Sequence, residues 1–291
     1  MAKLKVYVTG GSGLVGSRFL ELAADRYLLA APVYPLLNLV KKIDVRRVIL
    51  EFNPDVVVHF AAFTDVSAAQ SQIHDHTGSC WQINVTGTQN LLDALPRQTY
   101  FIYISTDMVF PGSVQDPGPY PEDHPACNDP DQLTWYGYTK SVAEKLIPPN
   151  SAVIRINYPV RTYFPGKLDF LRKSLDLFDK HQLYPLFTDQ QISISDIDTL
   201  CRVIDILIKN RYQGILHCAS ENTGTPYDMV SYVLKKARHV SDVVHGSAIP
   251  VNNRYPKYGG LSVKKSEHRL GIKFGSWQQI IDRLVRQGMV I

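Results

Sequence analysis

A glycine-rich turn between a short apolar strand and a helix is the strongest constraint in this sequence. The β-prone run Leu4–Val8 is followed by Thr-Gly-Gly-Ser-Gly-Leu-Val-Gly, and apolar residues then recur at helical spacing. This spacing is typical of a dinucleotide-binding loop, in which the first glycine allows the tight turn, the second admits a pyrophosphate and the third lets helix and sheet pack closely. A plain strand-to-helix loop is the alternative. Because the motif lies in the first βα unit, we predict a cofactor site at Gly10, Gly13, Leu14, Val15 and Gly16.

Strands and helices alternate along the first half of the chain. Apolar runs that predict strands precede segments with helical spacing, in the order strand 27–33, helix 44–52, strand 56–62, helix 81–92, strand 100–105, helix 136–146 and strand 151–157. Asn53-Pro54 ends the second helix, because proline disfavours helical geometry in the residue before it. The alternation predicts an α/β fold with a Rossmann-type doubly wound parallel sheet.

The alternation loosens from about residue 158. Helix-like segments at 168–178 and 227–238 lie on either side of the strand-like Gly214–Cys218, which indicates a smaller mixed α/β unit. We therefore expect an NAD(P)-binding Rossmann domain at residues 1–157 and a mainly substrate-binding domain at 158–291. The segment 193–209 has the apolar spacing of a helix that could return to the first domain.

The composition is that of an ordinary globular enzyme. A net charge of +4 over 291 residues, with scattered lysine and arginine, argues against nucleic-acid binding. The four cysteines are far apart and form no CxxC pair, so neither a disulfide framework nor a zinc site is indicated. Strand-like residues begin at Leu4, which leaves no room for a signal peptide, and no apolar run approaches the roughly 20 residues of a membrane helix. We expect a cytoplasmic protein that binds neither membrane nor nucleic acid.

Thr106, Tyr136 and Lys140 form a candidate catalytic set. Thr106 follows the strand predicted at 100–105, and α/β sheets bind ligands at the carboxyl ends of their strands. Tyr136 and Lys140 are four residues apart and share a helix face. The ammonium should lower the tyrosine pKa from its usual value of about 10, so that Tyr136 exchanges a proton with a carbonyl group that Thr106 orients. A Y-x-x-x-K pair alone is a common accident, but its combination with the glycine loop indicates oxidoreductase chemistry.

Five motifs resemble those of extended short-chain dehydrogenases, specifically the dTDP-4-dehydrorhamnose reductase family: TGGSGLVG, AAFTDV, NVTGT, YISTDMVF and YGYTK. The resemblance runs from residue 4 to about 157, continues more weakly in GILHCASENTGTPYDM and reappears in LSVKKSEHRLGI. It implies reduction of a nucleotide-linked 4-keto (deoxy)sugar by NAD(P)H. The resemblance assigns catalysis to Thr106, Tyr136 and Lys140, cofactor contacts also to Ala61, Ala62 and Lys140, and sugar contacts to Thr106, Asp107 and Tyr136.

Two segments depart from this family. Met108 and Pro111 replace residues of its S-T-D-Y-V-F-D-G motif, which leaves the identity of the sugar open. Residues 39–42 read Leu-Val-Lys-Lys where the family has an acidic segment, which leaves the adenine contacts open.

The cofactor is predicted to be NADP or NAD, with NADP favoured. NAD-preferring sites place a carboxylate after the second strand to accept the ribose hydroxyls, and Ala31, Pro32 and Val33 provide none. Lys41 and Lys42 would attract a 2′-phosphate, although a pair of lysines is also typical of a solvated face.

Other functions remain as alternatives. The same residues would serve a nucleotide-sugar epimerase or dehydratase, in which the cofactor is reduced and reoxidised within one cycle. The family resemblance also includes a non-catalytic NADP-binding regulatory subunit, the beta subunit of methionine adenosyltransferase, and it allows a homodimer. The presence of Thr106, Tyr136 and Lys140 favours an enzyme.

Several weaker signals are ambiguous. No metal site is predicted, because His74 and His76 do not share a helix face and have no third ligand. Asn84 is as consistent with a structural role as with a catalytic one. Three further side chains are candidates for phosphate or base contacts, or are simply solvated: Tyr163, Lys167 and Arg254.

Overall fold

The computed structural model describes residues 3–242, 244–250 and 255–289, and the chain divides into two compact units. The first unit runs to Val109 and includes Pro125–Arg155 and Cys201–Leu216. The second unit comprises Phe110–His124, Ile156–Leu200 and the chain from His217 onward. The chain therefore passes between the units several times, where the sequence analysis expected one boundary at 157 and a returning segment at 193–209.

The elements are numbered in chain order. The strands within the described residues are β1 (Lys5–Thr9), β2 (Leu28–Ala30), β3 (Val56–His59), β4 (Tyr100–Thr106), β5 (Ala152–Ile156), β6 (Pro159–Val160), β7 (Leu186–Phe187), β8 (Ser195–Asp196), β9 (Gly214–Cys218) and β10 (Gly246–Ser247). The helices of the same residues are α1 (Leu14–Ala23), α2 (Lys42–Phe52), α3 (Val66–Gln70), α4 (Ser79–Trp81), α5 (Gly87–Ala94), α6 (Trp135–Glu144), α7 (Phe170–Asp179), α8 (Ile197–Asn210), α9 (Pro226–Arg238), α10 (Lys264–Leu270) and α11 (Trp277–Arg286). A π-helical turn at Gln82–Thr86 joins α4 to α5, and a 3₁₀ turn at Asp107–Val109 follows β4.

The first unit is built on a six-stranded sheet in the order β2-β1-β3-β4-β5-β9. β1 pairs in parallel with β2 and β3, and β3 pairs in parallel with β4. Every residue of β3 and β4 is buried, as expected for central parallel strands that helices cover on both faces. The predicted Rossmann-type doubly wound parallel sheet is therefore confirmed.

The strand order reverses direction between β1 and β3, and this position locates the site. In open α/β sheets, ligands bind beyond the carboxyl ends of the strands at such a switch point. The residues that meet this edge are Thr9 at the end of β1, His59 at the end of β3 and Thr106 at the end of β4. The glycine loop and the proposed catalytic threonine thus emerge at one edge of one sheet.

One face of this sheet carries a core of aromatic and aliphatic residues. Tyr7 of β1 and Phe101 of β4 pack there with Val45 and Ile49 of α2. The same cluster includes Leu91 of α5. Val48 and Phe52 of α2 are half-buried against the same cluster, so the helix is anchored by one apolar stripe.

The second unit has its own core and two short parallel strand pairs, β10 with β7 and β6 with β8. Helices α7, α9 and α11 contribute most of its buried apolar residues. Complete capping boxes start α9 at Thr225 and α11 at Ser276, which satisfies N–H groups of each first turn. Helix α8 starts later than the predicted 193–209, because Ser195–Asp196 pair as β8. No helix in the described ranges is long and apolar enough to cross a membrane.

Candidate functional site

The glycine loop is held against the segment that follows β3. Gly10 has a φ of +69°, and a Cβ there would lie 2.6 Å from Ala61 N. A Cβ on Gly16 would lie 2.4 Å from Gly10 O. Side chains at these two positions would collide with backbone, so glycine is required for the turn and for close packing of α1.

Gly13 has a different role. Its φ of −82° is ordinary, and a Cβ there would lie 3.3 Å from its nearest neighbour, Gly10 O. Gly13 is exposed and occupies the N-cap of α1, where no side chain caps the helix. A Cβ at this distance is tight, so a side chain at Gly13 would require a small shift of the Gly10 carbonyl group. An anion can approach this helix N-terminus because the glycine leaves it uncovered.

A buried histidine, His59, links the end of β1 to helix α5. His59 Nδ1 lies 2.6 Å from Thr9 Oγ1, and His59 Nε2 lies 3.0 Å from Thr88 Oγ1. Thr88 donates its hydroxyl proton to Asn84 O at 2.7 Å, so Nε2 of His59 must be the donor to Thr88 and Nδ1 must accept from Thr9. Burial lowers the pKa of His59 to about 3, and the nearby Lys140 adds to this effect. The ring is therefore a neutral crosslink, which the sequence analysis did not identify.

Asn84 also links two separate segments of the first unit through hydrogen bonds. Its Oδ1 accepts from Phe63 N at 2.8 Å, and its Nδ2 donates to Thr139 Oγ1 at 2.9 Å. The residue is buried within the π-helical turn, so the turn aims its amide at both partners. Asn84 thereby connects the segment after β3 to helix α6, which carries the catalytic tyrosine and lysine predicted from the sequence.

Helix α6 starts close to the 3₁₀ turn that follows β4. Thr134 caps the helix by accepting from Gly137 N at 3.0 Å. A Cβ on Gly137 would lie 2.1 Å from Met108 O, so only glycine permits this approach. The glycine of the Tyr-Gly-Tyr-Thr-Lys motif therefore brings Tyr136 to the end of β4, where Thr106 lies.

Thr106 and Asp107 form a buried polar pair. Thr106 Oγ1 donates to Asp107 Oδ1 at 3.2 Å and accepts from Met108 N at 3.2 Å. Both residues are less than 10% exposed, at 7% and 6%. Burial raises the pKa of Asp107 to about 7, against smaller opposing effects of its hydrogen bonds to Thr106 and to backbone N–H groups. A substantial fraction of this carboxyl group is protonated at neutral pH, and it can then donate a hydrogen bond.

Lys140 is buried below Tyr136 on the same helix. It is 2% exposed, its Nζ donates to Ile104 O at 2.7 Å, and Nζ lies 4.0 Å from the centre of the Tyr103 ring. Burial lowers the pKa of Lys140 to about 7, while the charge of Glu144 acts in the opposite direction. The ammonium is thus held at the carboxyl edge of the sheet by a backbone carbonyl.

The expected lowering of the Tyr136 pKa is wrong. Burial raises the pKa of Tyr136, the charge of Asp107 raises it further, and a side-chain hydrogen bond with Thr106 acts in the opposite direction. The Lys140 ammonium instead bonds Ile104 O, and desolvation outweighs any benefit from the cation. The phenol therefore keeps its proton at neutral pH, and it can give that proton up only if the phenolate is stabilised as it forms.

The buried carboxyl group of Asp107 should make the free energy of unfolding depend on pH. Its pKa is raised to about 7 in the folded protein, above the value of about 4 in an unfolded chain. The folded state therefore binds the proton more tightly, and its stability falls as pH rises from about 4 to about 7. Asp107→Asn should flatten this fall by an amount on the order of a few kcal/mol, measured by urea unfolding across that pH range. The exposed Asp25→Asn is the control, and an unchanged slope in Asp107→Asn would contradict the assignment.

The remaining sequence-predicted residues are less closely connected. Ala61 N donates to Thr9 Oγ1 at 3.3 Å, and Leu14, Val15 and Ala62 are partly buried in the first unit. His76 stacks on Trp81 with ring centres 3.9 Å apart. Tyr163 and Lys167 are exposed in the second unit, and Arg254 lies outside the described residues.

Comparison with known proteins identifies the family of this chain. A family model described as RmlD substrate binding domain matches residues 4–289. A methionine adenosyltransferase 2 subunit beta from Bos taurus is 26% identical over 97% of this chain and 90% of that protein. A dTDP-4-dehydrorhamnose reductase from Aggregatibacter actinomycetemcomitans is 25% identical over 96% of this chain and 98% of that protein.

The fold also matches solved structures over its whole length. The crystal structure of dTDP-4-dehydrorhamnose reductase from Bacillus anthracis in complex with NADP matches with a TM-score of 0.82 and 22% identity, covering 99% of each chain. At this identity the likeness establishes the shared fold alone.

Proposed function

We infer the function of this chain from its family: the chain belongs to the RmlD substrate binding domain family. We propose that it is an NAD(P)H-dependent reductase of a nucleotide-linked 4-keto (deoxy)sugar. The observation that carries this proposal is the placement of Thr106, Tyr136 and Lys140 at the carboxyl edge of the sheet that also presents the glycine loop.

The residues of the first unit fit a dinucleotide. The glycines at 10 and 16 occupy positions that a Cβ would fill, and exposed Gly13 leaves the uncapped N-terminus of α1 open to a pyrophosphate. Ala61 and Ala62 line the adjacent loop with small side chains, and Lys140 is the cation for the nicotinamide ribose. When bound, the reduced cofactor supplies the hydride.

The protein residues supply the proton and the alignment. Thr106 redirects its single hydroxyl proton from Asp107 to the carbonyl oxygen of the sugar and so fixes the orientation of that oxygen. Tyr136 then transfers its phenolic proton to that oxygen as the alcohol forms. The charged form of Lys140, four residues further along α6, stabilises the phenolate that remains. Asp107 contacts a sugar hydroxyl, and its raised pKa lets it do so as donor or acceptor.

The proposal is tested by mixing the purified protein with NADPH or NADH and several dTDP- and UDP-linked 4-keto sugars. We expect one cofactor molecule to be oxidised for each ketone reduced, followed by cofactor absorbance and product mass. The corresponding 4-hydroxy sugars are the control, because they offer no ketone. Conversion of a sugar without net cofactor consumption would instead identify an epimerase or dehydratase.

A second candidate is a non-catalytic subunit, because one relative is named methionine adenosyltransferase 2 subunit beta. The complete set of Thr106, Tyr136 and Lys140 favours the enzyme. Cofactor binding without oxidation by any 4-keto sugar, together with binding to a methionine adenosyltransferase catalytic subunit, would favour the second candidate.

We further propose a reducing, cytoplasmic location, since all four cysteines are free thiols and reducing compartments keep thiols in that state. A homodimer remains a prediction that light scattering of the purified protein would test.

A further inference from the structure

A buried carboxylate, Glu144, lies one helical turn beyond Lys140 on α6, within the first unit. Residues four apart on a helix lie on the same face, with their Cβ atoms about 5–6 Å apart. The Glu144 side chain is 7% exposed, although glutamate is almost never buried unless it is paired. The reaction steps proposed above make no use of this carboxylate.

Arg155 of β5 holds the carboxylate of Glu144. Its Nε donates to Oε1 at 3.0 Å and its Nη2 donates to Oε2 at 2.7 Å, and the Arg155 side chain is 1% exposed. Paired bonds of this kind fix both the position and the ionised state of a carboxylate. A buried ion pair often adds no more stability than apolar residues of the same volume, so stability alone does not account for the pair.

The two α6 side chains reach neighbouring strands of the sheet. Lys140 Nζ donates to Ile104 O of β4, while the carboxylate of Glu144 bonds to a residue of β5, the next strand in the sheet. Both groups are buried, so little water screens the attraction between them. Burial lowers the pKa of Lys140 to about 7, and the charge of Glu144 raises it.

The other titratable groups that act on Lys140 or lie beside it are uncharged near neutral pH. His59 of β3 is neutral, because burial lowers its pKa to about 3. Burial raises the pKa values of Cys80 in α4 and Tyr103 in β4, so both keep their protons, as does Tyr136. Among the described residues, the carboxylate one turn along α6 is therefore the ionised group whose charge acts on the lysine.

We propose that Glu144, fixed in place by Arg155, is a positioning residue that keeps Lys140 in its charged form. The inference deepens the proposed function and rests on it for its catalytic consequence, because only the ammonium form of Lys140 stabilises the Tyr136 phenolate as it forms. Without the glutamate charge, the effect of burial on the lysine would be unopposed, and the neutral amine would predominate at neutral pH.

The test measures the charge of Lys140 by nuclear magnetic resonance, in the purified protein without sugar. Lysine labelled with ¹³C at Cε gives signals that shift on deprotonation, and the signal lost in Lys140→Met identifies this residue. We expect a midpoint at about pH 7 in the wild type. Glu144→Gln should lower the midpoint by about one pH unit or more, as for loss of an opposite charge within about 4–6 Å.

Two further variants bracket this result. Glu144→Asp keeps a carboxylate on a shorter side chain, so it should retain part of the wild-type midpoint. Glu21→Gln is the matched control, because it removes the carboxylate of an exposed ion pair with Arg18 on α1. Its Lys140 midpoint should equal that of the wild type.

A double variant guards against misfolding, because Glu144→Gln alone removes the carboxylate from a buried guanidinium. Glu144→Gln combined with Arg155→Met replaces the ion pair with neutral side chains of similar volume. Its Lys140 midpoint should also fall below that of the wild type, because the carboxylate has the largest charge effect on the Lys140 pKa.

The pH profile of turnover is a second readout, which a merely structural role would not move. A lysine with a pKa of about 7 is half charged at pH 7, while one whose pKa is about one unit lower is about one-tenth charged. The single-turnover rate of Glu144→Gln should therefore fall about fivefold at neutral pH and approach the wild-type rate in mild acid. Asp107 also titrates at about pH 7, but it does so in both proteins, so the difference between the profiles reports on Lys140.

Two results would overturn the inference. One is an unchanged Lys140 midpoint in folded Glu144→Gln, or in the double variant if the single variant does not fold. The other is a rate loss of equal size at every pH, which would indicate a structural defect. Absence of reductase activity in the wild type would reject the proposed function and its catalytic consequence, while the midpoints would still show whether Glu144 sets the charge of Lys140.

Discussion

Replacing Tyr136 with phenylalanine should slow reduction of a responsive 4-keto sugar by about 10²- to 10⁴-fold, the usual contribution of a general acid. The change removes one hydroxyl and leaves the ring, which packs with Trp135 and Phe63 in a small aromatic cluster. Cofactor and substrate affinities should therefore stay within a few-fold of the wild type. The measurement is single-turnover oxidation of the reduced cofactor, which separates the chemical step from product release.

Tyr138→Phe is the matched control, because Tyr138 lies on the same helix and in the same aromatic cluster but is not assigned to the reaction. It should retain nearly the full rate. Lys140→Met should lose both rate and cofactor affinity, since the lysine serves the phenolate and the ribose. Wild-type turnover by Tyr136→Phe would show that another group, with Asp107 the first candidate, supplies the proton.

The fold and the family were predictable because their signals are local. Gly10, Gly13 and Gly16 lie within one βα turn, and the segment 56–62 reads as a near-continuous apolar run. Backbone geometry and burial dictate residue type at these positions. A single sequence therefore predicts the doubly wound parallel sheet, and this prediction is confirmed.

The division into units was less predictable, because it depends on contacts between distant segments. Phe110–His124 belongs to the second unit, although it connects two elements of the first, β4 and α6. The stacked rings of Phe110 and Tyr120, 4.1 Å apart, contribute to its packing there. No local pattern distinguishes such an excursion from an ordinary loop.

For the candidate site, too, local patterns were predictable and long-range effects were not. The positions of Thr106, Tyr136 and Lys140 could be predicted from strand ends and helical spacing, while their roles stay a prediction. The electrostatics could not be predicted, because they depend on burial: desolvation raises the pKa of Tyr136 and brings that of Asp107 to about 7. The neutral His59 crosslink likewise depends on segments far apart in the sequence.

The three glycines of the loop offer different experiments because their surroundings differ. Side chains on Gly10 or Gly16 would strike backbone, so loss of binding in such variants could reflect misfolding alone. Gly13 has an ordinary φ, and a Cβ there would require only a small displacement of Gly10 O, 3.3 Å away. The lack of a side chain at Gly13 therefore matters less for the fold than for the approach of a phosphate.

Gly13→Val should fold normally and lose dinucleotide binding by about 100-fold or more, because its side chain would cover the N-terminus of α1 and block charge-assisted hydrogen bonds that typically contribute about 1.5–3 kcal/mol each. Gly13→Ala should give a smaller loss, since a single methyl group covers less of the same surface. Calorimetric titration with NADP⁺ measures the affinity, while circular dichroism and the melting temperature verify the fold. A graded loss of affinity across alanine and valine, with at most a small fall in melting temperature, is the expected result. Wild-type affinity in a folded Gly13→Val protein would mean that the pyrophosphate binds elsewhere.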